Sequence, residues 1–199
     1  MSPSIEFLFD FGSPYSFLAY HGVRRIASRH GAALIWSPVL LGGVFQATGN
    51  HSPMEVPAKG RWSQVDLARW ARHWGVPFTQ NPYFPINTLT LMRGAIGYQM
   101  NGERFPDYVE TIFSAMWQHG VNLGDPGELG RVLSSAGFDS SAFVAMVADP
   151  GVKERLKSVT QHAVERGVFG APTFFVGKEM YWGQDRLPLI EDALLAAQT

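Results

Sequence analysis

The chain has 199 residues, of which 46% are hydrophobic and 17% are charged, with a formal net charge of -1 and no cysteine. This composition predicts a globular protein with a sizeable core, either one large domain or one domain carrying an insertion. The near-neutral charge argues against nucleic-acid or anionic-membrane binding. The lack of cysteine excludes disulfides, cysteine metal ligands and any thiol chemistry carried by the protein itself.

The start of the chain carries no recognisable export signal. The segment MSPSIEFLFDF lacks a basic beginning, and the early apolar stretches are interrupted well before the roughly 18 residues that a membrane span needs. The six histidines show no metal-ligand spacing beside acidic partners, so we predict no metal site. We expect a cytoplasmic protein with no membrane or nucleic-acid partner.

The first 36 residues predict a strand, a helix and a second strand. The apolar, aromatic-rich run 5–9 is typical of a strand, and apolar residues recur at helical spacing over 14–30. Ser13 suits the N-cap of that helix and Pro14 its first position. A second buried strand follows over 32–36. This βαβ order implies a parallel pair of strands.

Residues 37–62 predict a long loop, because periodicity is lost and seven glycines and prolines interrupt the segment. A loop of this length inside a compact chain is usually functional or disordered. Its apolar residues favour an ordered active-site loop over 42–62.

The chain is then helical for about 100 residues, and strand signals return near its end. The predicted helices of this block are 63–74, 88–100, 106–118, 126–136, 140–148 and 150–166. A hairpin is predicted from 172–176 and 180–182, followed by a last helix over 187–197. The order indicates an α/β fold with residues 1–40 and 167–199 as one sheet domain and 41–166 as an inserted helical domain.

The first stretch that could carry chemistry is Gly-Ser-Pro-Tyr-Ser at 12–16. A helix N-terminus presents unpaired N–H groups and a partial positive charge, so it stabilises an anion placed there. The Ser13 hydroxyl could donate to that anion, or Ser13 could be an ordinary N-cap. Asp10 could be an acceptor behind the site or a turn former.

The second stretch is GVFGAPTFFV, in which Pro172 stands at the start of a predicted strand. Proline cannot donate to a sheet ladder, so this position is an edge, a bulge or a cis bond. If the bond after Ala171 is cis, the Ala171 N–H and C=O are free to pair with a peptide-like ligand. The alternative is a purely structural turn.

The third stretch is YWGQDRL at 181–187. Gly183 suits a turn, and Gln184 and Asp185 lie at the predicted start of the last helix. Backbone N–H groups there could hold a carboxylate, and Asp185 could pair with an ammonium. The alternative is a plain capped helix start.

The three stretches together form a specific combination: S-P-x-S opening a helix, G-x-F-G-x-P-T-F before a strand, and W-G-x-D-R before the last helix. It resembles the thioredoxin-fold family of kappa-class glutathione transferases and bacterial 2-hydroxychromene-2-carboxylate isomerases, which is related to the DsbA-type oxidoreductases. The resemblance covers nearly the whole chain, and GVFGAPTFFVGKEMYWGQDRL is especially similar to the isomerases. It implies a thioredoxin-like fold with an inserted all-helical domain, glutathione as cofactor, and a homodimer.

The resemblance also implies roles for individual residues. Ser13 would be the catalytic serine, stabilising the glutathione thiolate, and Ala171 would pair through its backbone with the cysteinyl unit. The turn that begins at Trp182 would receive the γ-glutamyl end, with Asp185 as partner of its ammonium. The implied glutathione-binding residues are Ser13, Asn50, Lys59, Ala171, Pro172, Trp182, Gly183, Gln184 and Asp185.

Short family elements in the first half of the chain add substrate contacts. The segments 48–50, 57–59 and 65–67 match the family elements G-N, P-x-K and D-L. Lys59, the only lysine before residue 153, would meet a carboxylate of glutathione or substrate; without the match it would be a solvated lysine. The chain departs from the isomerases at V-F-Q (44–46) and in the proline-rich HSPMEVPAK. Expected substrate contacts are Phe45, Asn50, Lys59 and Phe84.

The leading functional prediction is a glutathione-dependent isomerase of the 2-hydroxychromene-2-carboxylate type, acting on an aromatic compound through a reversible glutathione adduct. One alternative is a kappa-like transferase that conjugates glutathione to an electrophile. Another is a non-catalytic glutathione- or peptide-binding module. A thiol-disulfide oxidoreductase is excluded, because it needs a cysteine.

Overall fold

Four strands form one mixed sheet in the computed structural model, which describes residues 3–102 and 104–196. The spatial order is β2 (Ala33–Pro38), β1 (Ser4–Phe9), β3 (Thr173–Val176) and β4 (Glu179–Trp182). Strands β1 and β2 are parallel, while β3 is antiparallel to both β1 and β4. The predicted parallel pair and the predicted hairpin are therefore confirmed.

Helices fill the rest of the described chain, and most match the predicted segments within one or two residues. They are α1 (Pro14–His30), α2 (Leu41–Thr48), α3 (Pro57–Trp74), α4 (Leu89–Asn101), α5 (Phe105–Trp117), α6 (Pro126–Ser135), α7 (Ser140–Ala148), α8 (Pro150–Glu165) and α9 (Leu187–Ala196). One-turn 3-10 helices cover Pro53–Glu55 and Gln184–Arg186. The predicted end of the last helix, Ala197, lies outside the described residues.

The prediction that residues 42–62 form a loop is wrong for most of the segment. Helix α2 occupies its first part and the first turns of α3 its last part. The start of α2 is stabilised from distant segments, since the Leu40 N–H donates to Thr160 Oγ1 at 3.0 Å and the Leu41 N–H to Asp10 Oδ2 at 2.8 Å. These caps offset the low helix propensity of Gly42 and its neighbour.

An aromatic core joins the sheet to the helical block. Phe9 packs on Phe11 with ring centroids 5.5 Å apart, and Phe11 packs on Phe113 of α5 at 4.8 Å. All three rings are fully buried in one continuous cluster. Aromatic pairs of this kind contribute about 0.5–1.5 kcal/mol each beyond their buried area. The core thus runs across the proposed boundary between residues 40 and 41, and the division into two domains stays a prediction.

Among residues 3–102 and 104–196, no helix is both long enough and apolar enough to cross a membrane.

Candidate active site

A cavity of about 1120 Å³ lies where the beginning of α1 meets the beginning of β3. Its walls come from the Ser13 turn, α2, α3, the loop before α4 and the two turns that flank the β3–β4 hairpin. Sites for small molecules usually measure about 300–1,000 Å³, so this cavity lies at the upper end of that range.

Ser13 lies at the centre of the cavity wall and its hydroxyl makes two hydrogen bonds. Its backbone is extended, with φ -95° and ψ 111°, and Oγ accepts from the Ser16 N–H at 3.0 Å as an N-cap. The same oxygen donates to the Ala171 carbonyl oxygen, also at 3.0 Å. Ser13 is therefore the N-cap of α1, and donation by its hydroxyl to a bound anion stays a prediction.

The Ala171–Pro172 peptide bond is cis, as the sequence suggested. The expectation that the Ala171 carbonyl is free is wrong, because the Ser13 hydroxyl reaches it. The Ala171 N–H donates to no atom in the part of the chain that the structure describes. One backbone donor beside Ser13 thus remains for a ligand.

The Gly183 turn lies directly beside Pro172. The Gly183 N–H donates to the Pro172 carbonyl at 3.0 Å, and its φ of 103° is a conformation that other residues rarely adopt. A Cβ at this position would lie 2.6 Å from Asp185 Oδ1. Only glycine brings the backbone and the Asp185 carboxylate this close together.

The residues after Gly183 form a 3-10 turn, whereas the sequence suggested the start of the last helix. Gln184 is buried, and the half-buried Asp185 pairs with Arg186 at 3.7 Å. Trp182 packs on Phe169 with ring centroids 5.0 Å apart. All four implied contacts from Trp182 to Asp185 line the cavity.

Asp10 connects three walls of the cavity although only 1% of it is exposed. Its carboxylate accepts from the Gly12 N–H and the Leu41 N–H, both at 2.8 Å, and Thr88 adds a side-chain bond. Burial raises the pKa of Asp10, and these hydrogen bonds oppose the rise. Asp10 therefore forms the turn before Ser13 and also joins that turn to the start of α2.

Asn50 and Lys59 line the cavity from the α2–α3 side. The Asn50 amide already has protein partners, since Nδ2 donates to the Phe169 carbonyl at 2.8 Å and Oδ1 accepts from the His51 N–H at 2.8 Å. Lys59 is exposed on the first turn of α3. Of the two, Lys59 has the side chain that is available to an anionic ligand group.

Phe45 and Phe84 both line the cavity and are half-buried. The bond from Phe84 to Pro85 is a second cis bond, which no sequence signal indicated. Trp62 also lines the cavity and is 58% exposed. The cavity is thus lined by these three aromatic side chains as well as by Ser13.

Sequence reasoning missed the Tyr15–Asp66 pair, in which the hydroxyl donates to Oδ2 at 3.4 Å. Burial raises the pKa of Tyr15 to about 12. Burial also raises the pKa of Asp66, and the nearby charge of Asp185 adds to the rise. Two carboxylates thus share one part of the cavity, with Arg69 near Asp66 and Arg186 paired with Asp185. The D-L element pointed to Asp66, but only the fold shows its neighbours.

Sequence reasoning also missed Gln80 and Thr88, which lie in the wall formed by the loop before α4. Gln80 stands in a segment without periodicity and Thr88 at the start of the predicted helix 88–100, and no sequence signal places either of them in the wall of the cavity. Within the described ranges, no group of three histidines, aspartates or glutamates could hold a metal ion.

The sheet, the cis-proline turn and the helix that begins at Ser13 define a thioredoxin-like protein, and residues 4–195 match the model of the DSBA-like thioredoxin domain. The 2-hydroxychromene-2-carboxylate isomerase of Pseudomonas putida is 34% identical over 194 residues, which covers 96% of this chain and 93% of the relative. A solved structure of a 2-hydroxychromene-2-carboxylate isomerase has a TM-score of 0.85 and 32% identity, over 97% of this chain and 95% of that one.

The chain therefore belongs to the DSBA-like thioredoxin family and, within it, to the family of the 2-hydroxychromene-2-carboxylate isomerases. Glutathione S-transferase kappa 2 of Caenorhabditis elegans is more distant, at 27% identity over 207 residues, covering 96% of this chain and 91% of the relative. The predicted family and the thioredoxin-like fold class are confirmed.

Proposed function

We propose that the protein is a glutathione-dependent isomerase of the 2-hydroxychromene-2-carboxylate type, as its isomerase relatives are named, and that it acts on the aromatic, unsaturated α-keto acid that forms when the ring of such a compound opens. The observation that carries the proposal is the Ser13 hydroxyl at a helix N-terminus, beside cis-Pro172, in a chain without cysteine. Such a site can activate a thiol, and that thiol must come from a ligand.

The chemistry needs only the bound thiol. The glutathione thiolate adds to the β-carbon of the conjugated double bond, and the electron pair moves to the keto oxygen as an enolate. The former double bond is now single and rotates. The enolate then re-forms the double bond and expels the thiolate, so glutathione is regenerated and no oxidant or reductant is consumed.

Ser13 would stabilise the thiolate by giving it the hydrogen bond that the Ala171 carbonyl now receives. A thiol has an ordinary pKa of about 8.5, and lowering it by about two units takes roughly 2.7 kcal/mol. A hydrogen bond to a charged group supplies about 1.5–3 kcal/mol and the helix N-terminus about 0.3–1 kcal/mol. The two effects together are sufficient.

The rest of the cavity suits the remainder of glutathione. The Ala171 N–H would bond to the cysteinyl carbonyl, as an added strand does. Asp185 and Asp66 would hold the γ-glutamyl ammonium, and Lys59 would meet a carboxylate of glutathione or substrate. The half-buried rings of Phe45 and Phe84 would contact the aromatic substrate.

A kappa-like transferase is the second candidate, supported by the relative at 27% identity. In that reaction the sulfur stays on the product and glutathione is consumed. A homodimeric assembly and a cytoplasmic location stay predictions.

The test is turnover with and without glutathione, on ortho-hydroxybenzylidenepyruvate and on a panel of electrophiles, for the wild type and Ser13→Ala. We expect isomerisation that depends on glutathione without consuming it. Accumulation of a conjugate would instead identify a transferase. No glutathione-dependent rate on any compound would overturn the proposal in favour of a binding module.

A further inference from the structure

The indole of Trp182 lies against the backbone just before the cis-proline turn. Its Nε1 atom is 2.6 Å from the position that a Cβ on Gly170 would take, which places the nitrogen within about 4 Å of the Gly170 α-carbon. The ring is held there, because it packs on Phe169 with ring centroids 5.0 Å apart and because Trp182 pairs with Thr173 in the sheet. Gly170 therefore leaves open the space that the indole nitrogen occupies.

This indole N–H is a hydrogen-bond donor without a protein acceptor. No atom of residues 3–102 and 104–196 accepts from it, and an indole N–H can only donate. Trp182 lines the cavity and is 49% exposed, so the side chain is open to a ligand. The N–H of Ala171, the residue after Gly170, also has no acceptor in the described chain. Two unused donors thus lie at one peptide unit of the cavity wall.

The position of the Gly183 turn sets the direction in which glutathione would cross this wall. The Gly183 N–H donates to the Pro172 carbonyl at 3.0 Å, so the turn that would receive the γ-glutamyl end lies beside Pro172. With the cysteinyl unit paired with Ala171, the glycyl end lies on the opposite side, beside Gly170. The indole nitrogen is at that place. A terminal carboxylate there accepts a charge-assisted hydrogen bond, which is stronger than a neutral one.

We propose that Trp182 is a specificity-determining residue, whose indole N–H donates to the terminal glycyl carboxylate of glutathione. This rests on the proposed function. The backbone turn that begins at Trp182 and the side chain of the same residue then serve opposite ends of one ligand. The site therefore selects thiol peptides that carry a carboxylate one residue beyond the cysteinyl unit over thiols that lack it.

The experiment is a cycle of two protein forms and two ligands. S-methylglutathione, and the same compound with methylamide in place of its glycyl unit, are each titrated by calorimetry into the wild type and Trp182→Phe. The methyl group on sulfur prevents turnover, and the methylamide deletes only the carboxylate. Phenylalanine deletes the N–H and keeps an aromatic ring on Phe169. Trp74→Phe, at a half-buried position that does not line the cavity, is the matched control.

Gly170→Ala tests the same contact without removing the donor. The three atoms nearest to the added Cβ all belong to the Trp182 indole, at 2.6 to 3.5 Å, so the ring has to move away. The donor is then displaced from the place where the carboxylate would lie.

We expect the wild type to bind S-methylglutathione more tightly than the methylamide, and this preference to fall about tenfold in Trp182→Phe. That is the low end for a hydrogen bond to a charged group, since the site is open to water. The methylamide should bind the variant as it binds the wild type. Gly170→Ala should lose the preference in the same way, and Trp74→Phe should keep it in full.

An unchanged preference in Trp182→Phe, or equal weakening of both ligands, would overturn the proposal. Steady-state isomerisation by the wild type with glutathione, measured in parallel, separates this result from failure of the proposed function. If the wild type shows no glutathione-dependent turnover but the preference is present and falls in Trp182→Phe, the role of Trp182 stands while the isomerase proposal fails. Turnover together with an unchanged preference would leave the isomerase proposal standing and remove the role of Trp182.

Discussion

Two walls of the cavity are built in different ways. The sheet-side wall is formed by the Ser13 turn and residues 170–172 and 182–186. The groups that it presents are mainly backbone groups and one hydroxyl. The helical wall is formed by α2, α3 and residues 80–88. The groups that it presents are aromatic side chains and Gln80. Backbone recognition suits a peptide-like ligand such as glutathione, whereas side chains discriminate between second ligands. Under the proposed function, the first wall would therefore define the chemistry and the second wall would select the substrate.

Among the substitutions that test the two walls, Ser13→Ala is expected to have the largest effect. Loss of a hydrogen bond to the thiolate, worth about 1.5–3 kcal/mol, should lower the glutathione-dependent kcat/KM by about 10- to 100-fold. Loss of the N-cap should cost about 1 kcal/mol of unfolding free energy. Both are measured by steady-state kinetics and chemical denaturation.

Ser16→Ala is the control, in the same turn. The Ser16 Oγ is buried and has no hydrogen-bond partner among the described residues, so its removal should change neither rate nor stability appreciably. If the two variants lose activity equally, Ser13 has no special role in the sheet-side wall.

Gly183→Ala should damage the same wall through its backbone. The strain of a side chain at φ 103° and the approach of Cβ to 2.6 Å from Asp185 Oδ1 should cost about 3 kcal/mol of unfolding free energy and raise the KM for glutathione. The control is Gly177→Ala, at φ 60° with no atom near the added Cβ. A higher KM in both variants would show that the clash at Gly183 is irrelevant to glutathione.

Asp10→Asn tests the connection between the walls. The Asn nitrogen cannot accept a hydrogen bond, so either Gly12 or Leu41 loses its partner, at about 1–2 kcal/mol of unfolding free energy. The pKa of Asp10 is raised in the folded protein. Its titration therefore contributes fully to the free energy of unfolding below the ordinary pKa of 3.8, and this contribution is lost as pH rises through the raised pKa. The advantage of the wild type over Asp10→Asn should therefore shrink as pH rises.

Denaturation of both proteins at a series of pH values measures this trend. A difference that stays constant, or one that grows with pH, would contradict a raised pKa of Asp10 in the folded protein.

The smallest expected effect belongs to Lys59→Met, since Lys59 is exposed. An exposed ion pair with a ligand carboxylate should change the KM for glutathione or substrate by about two- to fivefold, and added salt should remove the difference. Lys153→Met, at an exposed position of α8, controls for the change in net charge. Identical salt dependence in the two variants would remove Lys59 from the site.

Local chemistry explains which of these features could be predicted. Ser13 and Pro14 predict the start of a helix to within two residues, and Pro172 at the start of a strand predicts an unusual turn. Helix α2 was missed because its N-terminus is capped by Asp10 and Thr160, which are distant in the chain. Gln80 was missed because only the anchoring of its neighbours to α5 brings it to the cavity.

The most direct measurement is the titration of the bound glutathione thiol, followed by the ultraviolet absorbance of the thiolate. In the wild type we expect a pKa about two units below the free value of about 8.5, and in Ser13→Ala a value that returns most of the way towards it. Ser16→Ala should titrate as the wild type does. A bound thiol that keeps its free pKa in the wild type, or the same lowering in Ser13→Ala, would contradict the stabilisation of the thiolate by Ser13.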